Sequence, residues 1–280
     1  MPEIAYVNGQ FVPLADAVVP VEDRGYQFAD AIYEVVRTYH GRPFALDEHL
    51  VRLARSLAAI ELTPLQSTDQ LKSLIHEIIR RAAFPETMVY LQISRGVAKR
   101  HRGLPTGCDP ILVITARELP DSHHLREHGV TVITVPDNRW GRCDIKSVGL
   151  LANVLAYQTA KRTGANDAIF TELDGTLNEA TAANIFIILR GQLLTPPEGP
   201  KLLAGITRTK LLESATAASI PAAERRITKA DLLAADEAFL SSSTAEVVPI
   251  LIADGHKIGD GKPGPLSRRV YDQFIKMFAS

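Results

Sequence analysis

The chain has 280 residues, 31 basic and 32 acidic side chains for a formal net charge of -1, and 46% hydrophobic content. That is room for one large domain or two modest ones of ordinary globular composition, and the balanced charge argues against nucleic acid or an anionic membrane as a bulk partner. Two cysteines, Cys108 and Cys143, are too few for a disulfide framework and fit a reducing cytoplasm, while the start shows no leader pattern and no apolar run approaches the length of a membrane span.

In chain order, Ile4 to Val7, the pair Asn8-Gly9 and Phe11-Val12 form a hairpin signature, because Asn-Gly tolerates a type I′ turn. Ile32 to Tyr39 alternates towards a second turn at His40-Gly41. Asp47 stands where an N-cap is expected, ahead of the helical stripe Leu50, Leu53, Ala54, Leu57 and Ala58; Leu71, Leu74, Ile75, Ile78 and Ile79 make a second stripe. Val89 to Ser94 and Ile111 to Thr115 are expected strands. The pattern then lapses around Glu118 to His124, which predicts domains at 1–118 and 125–280 joined by a linker at 119–124. His123 and His124 read as solvent-exposed in that linker, and no spacing of ligand residues supports a metal site.

Beyond the linker, Val130 to Val135 is a strand and Leu150 to Lys161 a helix ended by Gly164, with Leu150, Leu151, Val154 and Leu155 expected on a buried face. Asp174-Gly175 marks a hairpin turn, and Ile185 to Leu189 and Gln192 to Leu194 pair. Ile206 to Ala218 is helical, Ala238 to Leu240 and Val247 to Ile252 are strands, and Pro265 to Phe278 is a closing helix. The whole predicts two α+β domains with mixed sheets and flanking helices, the second carrying Lys146, with a cleft between them as the default site.

Lys146 and Glu179 are the pair that suggests chemistry. A lysine amine becomes a nucleophile or base when burial or a nearby cation depresses its pKa. A carboxylate beside a pyridine nitrogen keeps that nitrogen protonated and electron-withdrawing. Each alone has an ordinary alternative, a solvated lysine ending a strand and a solvated glutamate after a hairpin. The stretch Asp137 to Arg142 packs polar and aromatic groups just upstream of the lysine, as a site loop does. Gly205-Ile206-Thr207 opens a helical pattern, where unpaired N–H groups favour a phosphate; Ser242-Ser243-Thr244 is a second hydroxyl cluster. Helix capping and turn formation explain both equally well. Arg52 adds a cation, unless it pairs with Glu48 one turn earlier. Lys99-Arg100-His101-Arg102 is either a solvated loop or a carboxylate receptor.

These residues resemble the fold-type IV pyridoxal-phosphate enzymes, and among them most closely the D-amino-acid (D-alanine) aminotransferases. The resemblance runs from about Val7 to Phe274 and rests on Glu22 to Phe28, Tyr33-Glu34-Val35-Val36, Glu48 to Leu53, Arg142 to Ser147 and Gly205 to Arg208, in order. It implies pyridoxal 5'-phosphate as cofactor, with Lys146 as the Schiff-base lysine and proton shuttle and Glu179 as the partner of the pyridine nitrogen. Arg52, Ile206, Thr207 and Ser243 are implied as the phosphate cup, and Leu203 as the leucine against the ring. Tyr33, Arg100, Arg102 and Thr244 are implied on the substrate side. A homodimer, with the site at the subunit and domain interface, is implied as well. Where D-amino-acid enzymes often have Arg-x-His, this chain has Arg100-His101-Arg102, which opens the question of a shift towards dicarboxylates. Branched-chain L-amino-acid aminotransferase, (R)-amine transaminase and aminodeoxychorismate lyase are the alternatives on the same fold. A scaffold without catalysis is the alternative from another class.

Overall fold

The structure, a computed structural model, describes residues 3–278; the outer ends of the two expected domains, residues 1–2 and 279–280, lie outside it. The chain divides into two compact units, Met1–Pro120 with Ile145–Gly149, and Asp121–Asp144 with Leu150–Ser280. The division falls at Pro120, but the short segment carrying Lys146 packs with the first unit, not with the second as the sequence pattern suggests. The cause is backbone pairing: Ile32 and Ser147 form an isolated antiparallel bridge, and Ile145 joins the first unit's apolar core.

The first unit is built on an antiparallel sheet. Its strands are β1 (Ile4–Val7), β2 (Gln10–Pro13), β3 (Ala31–Tyr39), β4 (Arg42–Pro43), β5 (Thr87–Ser94) and β6 (Ile111–Glu118), in the order β2-β1-β6-β5-β3-β4. The β1–β2 turn has Asn8 and Gly9 both at positive φ (43° and 104°), the type I′ geometry that matches strand twist. Three helices accompany the sheet: α1 (Arg24–Phe28), α2 (Leu46–Ala59) and α3 (Thr68–Ala82). Leu46, Leu50, Leu53 and Leu57 recur at helical spacing on α2 and are buried against Ile32, Val36, Leu91 and Ile93 of the sheet and Ile75 and Ile78 of α3. Asp47 is not the N-cap. That place falls to Ala45, in the left-handed region and without a side-chain bond, while Asp47 lies in the first turn and pairs with Lys72 at 2.6 Å. α3 begins instead with a capping box, Ser67 and Gln70 each accepting from the other's backbone N–H.

The second unit holds a nine-stranded mixed sheet. In chain order come α4 (His123–His128), β7 (Val130–Pro136), α5 (Leu151–Arg162), β8 (Asp167–Thr171), β9 (Leu177–Ala180), β10 (Asn184–Leu189), β11 (Gln192–Thr195), α6 (Ile206–Ala217), β12 (Ala222–Glu224), α7 (Lys229–Leu233), β13 (Glu237–Ser242), β14 (Glu246–Ala253), β15 (His256–Lys257) and α8 (Pro265–Ile275). The sheet order is β12-β11-β10-β13-β14-β7-β8-β9, with β15 on β14. β7 and β8 are parallel, so a crossover must join them, and α5 supplies it. His123 and His124 lie exposed on the short helix α4 rather than in an irregular linker.

α5 reverses the expected face. Ala156 and Ala160 are its buried residues, packed with Ala165, Ala168 and Phe170, whereas Leu151, Val154 and Leu155 are exposed. Small side chains let the helix approach β7 and β8 closely, so the alanine stripe takes the inner side. Among the described residues no helix is long and apolar enough to cross a membrane.

Candidate active site

In the first unit Lys146 is fixed through its backbone. Its carbonyl accepts from Tyr33 N–H at 3.0 Å, its own N–H points to Ser56 Oγ at 3.4 Å, and Val148 N–H bonds Ala31 O at 3.2 Å. The half-buried ammonium lies 4.3 Å from the centroid of the Tyr33 ring, within cation–π range. Tyr33 in turn stacks on Tyr90 at 5.4 Å, and burial with the neighbouring Tyr33 pushes the Tyr90 hydroxyl up to about 12.

Alternation along β3 sends Glu34 to the face opposite Tyr33, where α2 packs. There its carboxylate accepts from Arg52 Nε at 2.8 Å, Arg52 Nη2 at 2.7 Å and His49 Nδ1 at 2.8 Å. All three residues are buried. Burial alone raises the Glu34 carboxyl, but the donors Arg52 and His49 outweigh it and hold the group at about 2. His49 is moved down from its ordinary value by burial, opposed by Glu34 and assisted by the charges of Arg52 and Lys146. A carboxylate only accepts, so Nδ1 of the neutral imidazole carries its proton. Arg52 therefore meets Glu34, a residue of β3, through a two-pronged pair.

Arg100 and Arg102 lie exposed on the irregular stretch between β5 and β6. Arg100 packs over Phe28 at 4.6 Å and points Nη1 at Gln27 O, 3.4 Å away.

In the second unit Glu179 sits on β9. Arg139 Nη1 donates to its Oε1, and Leu203 N–H donates to Oε2 at 3.0 Å, with Asn184 Nδ2 at 3.3 Å. Asn184 also donates to Leu203 O at 2.9 Å, so one amide ties the glutamate's strand to the segment before α6. Arg139 is held by Asp137 through Nε at 3.0 Å and Nη2 at 2.8 Å, bonds Lys201 O at 2.8 Å, and lies 4.2 Å over Phe170. Burial opposes the charge on Arg139, but Asp137 and Glu179 raise its pKa beyond the ordinary range for arginine. Burial pushes the nearby Cys143 thiol up to about 11, against the pull of Arg139.

Just downstream, Gly205 is the N-cap of α6 and no side chain caps that end. A Cβ on Gly205 would come to 2.1 Å from Asn184 Oδ1, so only glycine lets this turn close on the asparagine. Arg208 anchors the helix start: it is 1% exposed, donates to Pro196 O at 2.8 Å and pairs with Glu224 at 3.0 Å. Asn184 is registered against Ser241 of β13, so the two side chains share a face. The Ser241 hydroxyl is buried and has no hydrogen-bond partner among the described residues. Beyond β13, Ser242 Oγ accepts from Ala245 N–H at 3.1 Å and shapes the turn, while Ser243 and Thr244 are half-buried in it.

The second unit thus fits the phosphate and ring nitrogen of pyridoxal phosphate. A helix N-terminus without a side-chain cap, a backbone approach that only glycine permits and an orphaned serine hydroxyl suit the phosphate. A buried glutamate paired with an arginine suits a protonated pyridine. The structure joins Lys146 to Tyr33, and Glu179 to Leu203 and the approach to Ile206 and Thr207; Arg100 and Arg102 stand on a separate exposed loop. Sequence patterns miss Glu34, His49, Arg139, Asn184 and Ser241. Arg139 does fall in the polar and aromatic stretch before Lys146, but nothing in spacing links it to Glu179, 40 positions on.

A family model described as amino-transferase class IV matches residues 31–252. The D-alanine aminotransferase of Bacillus licheniformis is 39% identical over 263 residues, 94% of this chain and 93% of the relative. That of Staphylococcus haemolyticus is 36% identical over 276 residues, 98% of each. Among solved structures, the Escherichia coli branched-chain amino acid aminotransferase superposes with a TM-score of 0.90 at 26% identity, covering 99% of this chain and 95% of its own. A hypothetical aminotransferase from Mycobacterium tuberculosis in its PLP-bound form shares the fold, at a TM-score of 0.86 and 22% identity over 98% of this chain and 99% of its own. Family match, near-complete relatives and a site suited to the cofactor converge: the chain belongs to the class IV aminotransferases and is a pyridoxal-phosphate-dependent enzyme of the α+β fold-type IV architecture.

Proposed function

We propose that this enzyme moves an amino group from a D-amino acid of the D-alanine type to a 2-oxo acid such as 2-oxoglutarate or pyruvate. The observation that carries the cofactor chemistry is Glu179, whose carboxylate accepts from Arg139, Asn184 and the Leu203 N–H. The preference for D-amino acids is supported by the D-alanine aminotransferases, which match nearly the whole chain.

In this reading Arg52, the N–H groups at Ile206 and Thr207, the Thr207 hydroxyl and Ser243 would hold the phosphate, Leu203 would lie against the ring, and Glu179 would hold the ring nitrogen. The cofactor, when bound, supplies an aldehyde that takes up the amino nitrogen and a ring that withdraws electrons from the substrate's α-carbon. Lys146 Nζ removes the α-proton of the donor and returns a proton to the α-carbon of the acceptor in the reverse half-reaction. Tyr33, Arg100, Arg102 and Thr244 orient the substrate, the two arginines through its carboxylate. A homodimer that completes the carboxylate pocket, and a cytoplasmic setting suited to two free thiols, belong to the same reading.

A branched-chain L-amino-acid aminotransferase is the second reading, favoured by the fold likeness to the Escherichia coli enzyme. Parallel incubation with D-alanine and L-leucine, each with 2-oxoglutarate, separates the two. Pyruvate from D-alanine is expected; 2-oxo acid formed from L-leucine alone would overturn the D-amino-acid assignment.

A further inference from the structure

We propose that Arg24 is a positioning residue for substrate binding: it fixes the loop that carries Arg100 and Arg102, and thereby sets where their guanidiniums meet the substrate carboxylate. The inference rests on the carboxylate-binding reading of those two arginines given above.

Arg24 is 4% exposed, yet its Nη1 donates to the carbonyl of His101, the residue between the two exposed arginines, at 2.7 Å. Its Nε donates to Asp30 at 2.8 Å. Asp30 also accepts from Arg95 Nε at 2.8 Å, and Arg95 spends its remaining donors on the carbonyls of Ile60 and Glu61. Burial raises the Asp30 carboxyl, but Arg95 and Arg24 more than offset it, so the group stays charged. The root of the loop is held to the same short segment. Arg24 N–H bonds Gly96 O at 2.9 Å, Ala98 N–H bonds Glu22 O at 3.3 Å, and Asp23 pairs with Val97 in an isolated bridge. Phe28 lies 4.8 Å from the Arg24 guanidinium and 4.6 Å from that of Arg100.

The stretch Glu22 to Phe28 therefore has a physical task. It ties an otherwise irregular loop at its root by backbone bonds and at its tip by one buried guanidinium. Only arginine has donors on Nε and Nη in a rigid fork that reaches Asp30 and a carbonyl at once. Without the tip bond, the loop that carries Arg100 and Arg102 loses its anchor at His101. A misplacement of about 1 Å at such a site costs about 100-fold.

The test uses the holoenzyme and the variants R24M, R24K and R100A/R102A. Steady-state constants are measured for D-alanine and 2-oxoglutarate, cofactor affinity by absorbance titration, and a single-turnover half-reaction with D-alaninol, an amine without a carboxylate. For R24M the expected result is a KM raised about 10- to 100-fold for both carboxylate substrates. Cofactor affinity and the D-alaninol rate should stay within twofold, and R24K should recover part of the loss. R24M with unchanged KM values, or with cofactor affinity and the D-alaninol rate falling in step with KM, would overturn the positioning role. If R24M does not fold, D30N must show the same KM pattern, and its absence is equally fatal. An R100A/R102A enzyme with unchanged KM would instead remove the carboxylate reading, and the Arg24 role with it.

Discussion

Arg139 is the charge partner of Glu179: its Nη1 meets Oε1 while its Nη2 is committed to Asp137 at 2.8 Å, and side chains of all three are at most 10% exposed. Removing one member of a buried charged cluster strands the others without compensation. R139M is expected to destabilise the protein by about 3 kcal/mol or more. It should also weaken cofactor binding, because Glu179 loses the group that keeps it in place. Urea unfolding with a midpoint unchanged from wild type would contradict this.

The proposed role of Lys146 as the amine that moves the α-proton makes its removal the sharpest test of the site. K146A is expected to lower turnover by at least about 1000-fold, the scale of a lost acid–base group in an active site. Borohydride treatment of the wild-type holoenzyme should fix the cofactor on the peptide that contains Lys146. A label on any other peptide would reassign the reacting amine.

The Glu34, His49 and Arg52 cluster makes stability depend on acidity in two windows. His49 titrates below its ordinary 6.5 when folded, so below pH 6.5 the unfolded chain takes up a proton that the folded one resists, and stability begins to fall. Glu34 titrates at about 2 against an ordinary 4.5, so its contribution is complete above pH 4.5 and is lost as pH falls towards 2. That second loss is on the order of 3 kcal/mol. Urea midpoints measured between pH 8 and pH 3 should decline in that order, and a flat profile would rule the cluster out as a source of acid sensitivity.

Gly205 faces Asn184 with no room for a methyl group. G205A must push the asparagine or the start of α6 aside, at a cost of about 1–3 kcal/mol. Cofactor affinity should drop with it, while the spectral signature of the cofactor once bound should persist. Equal cofactor affinity for G205A and wild type would show that this turn does not approach the phosphate.

The periodic parts of the fold were legible in the chain. Leucines at helical spacing foretell α2, and Asn8-Gly9 foretells the first hairpin because its positive φ values are local demands. β9 resists such reading: Asn178 and Glu179 are polar yet buried, since Glu179 answers to Arg139 and Leu203 rather than to an alternating face. α5 misleads for the opposite reason, its alanines being the packed residues. Lys146, Glu179 and Arg52 can be picked out by residue type and by resemblance. Their partners are set by tertiary contact: Glu34 meets Arg52 18 positions away and Arg139 meets Glu179 40 positions away, distances that carry no spacing rule.

The five residues Ile145–Gly149 are bounded on both sides by chain of the other unit. A ribosome reading from the amino end therefore cannot finish the first unit when Pro120 emerges. The bridge from Ile32 to Ser147 and the apolar place filled by Ile145 must wait until a further stretch has been made. A fragment cut after Pro120 would lack both, and the amine of Lys146 would be delivered to its place only after synthesis of the second unit had begun.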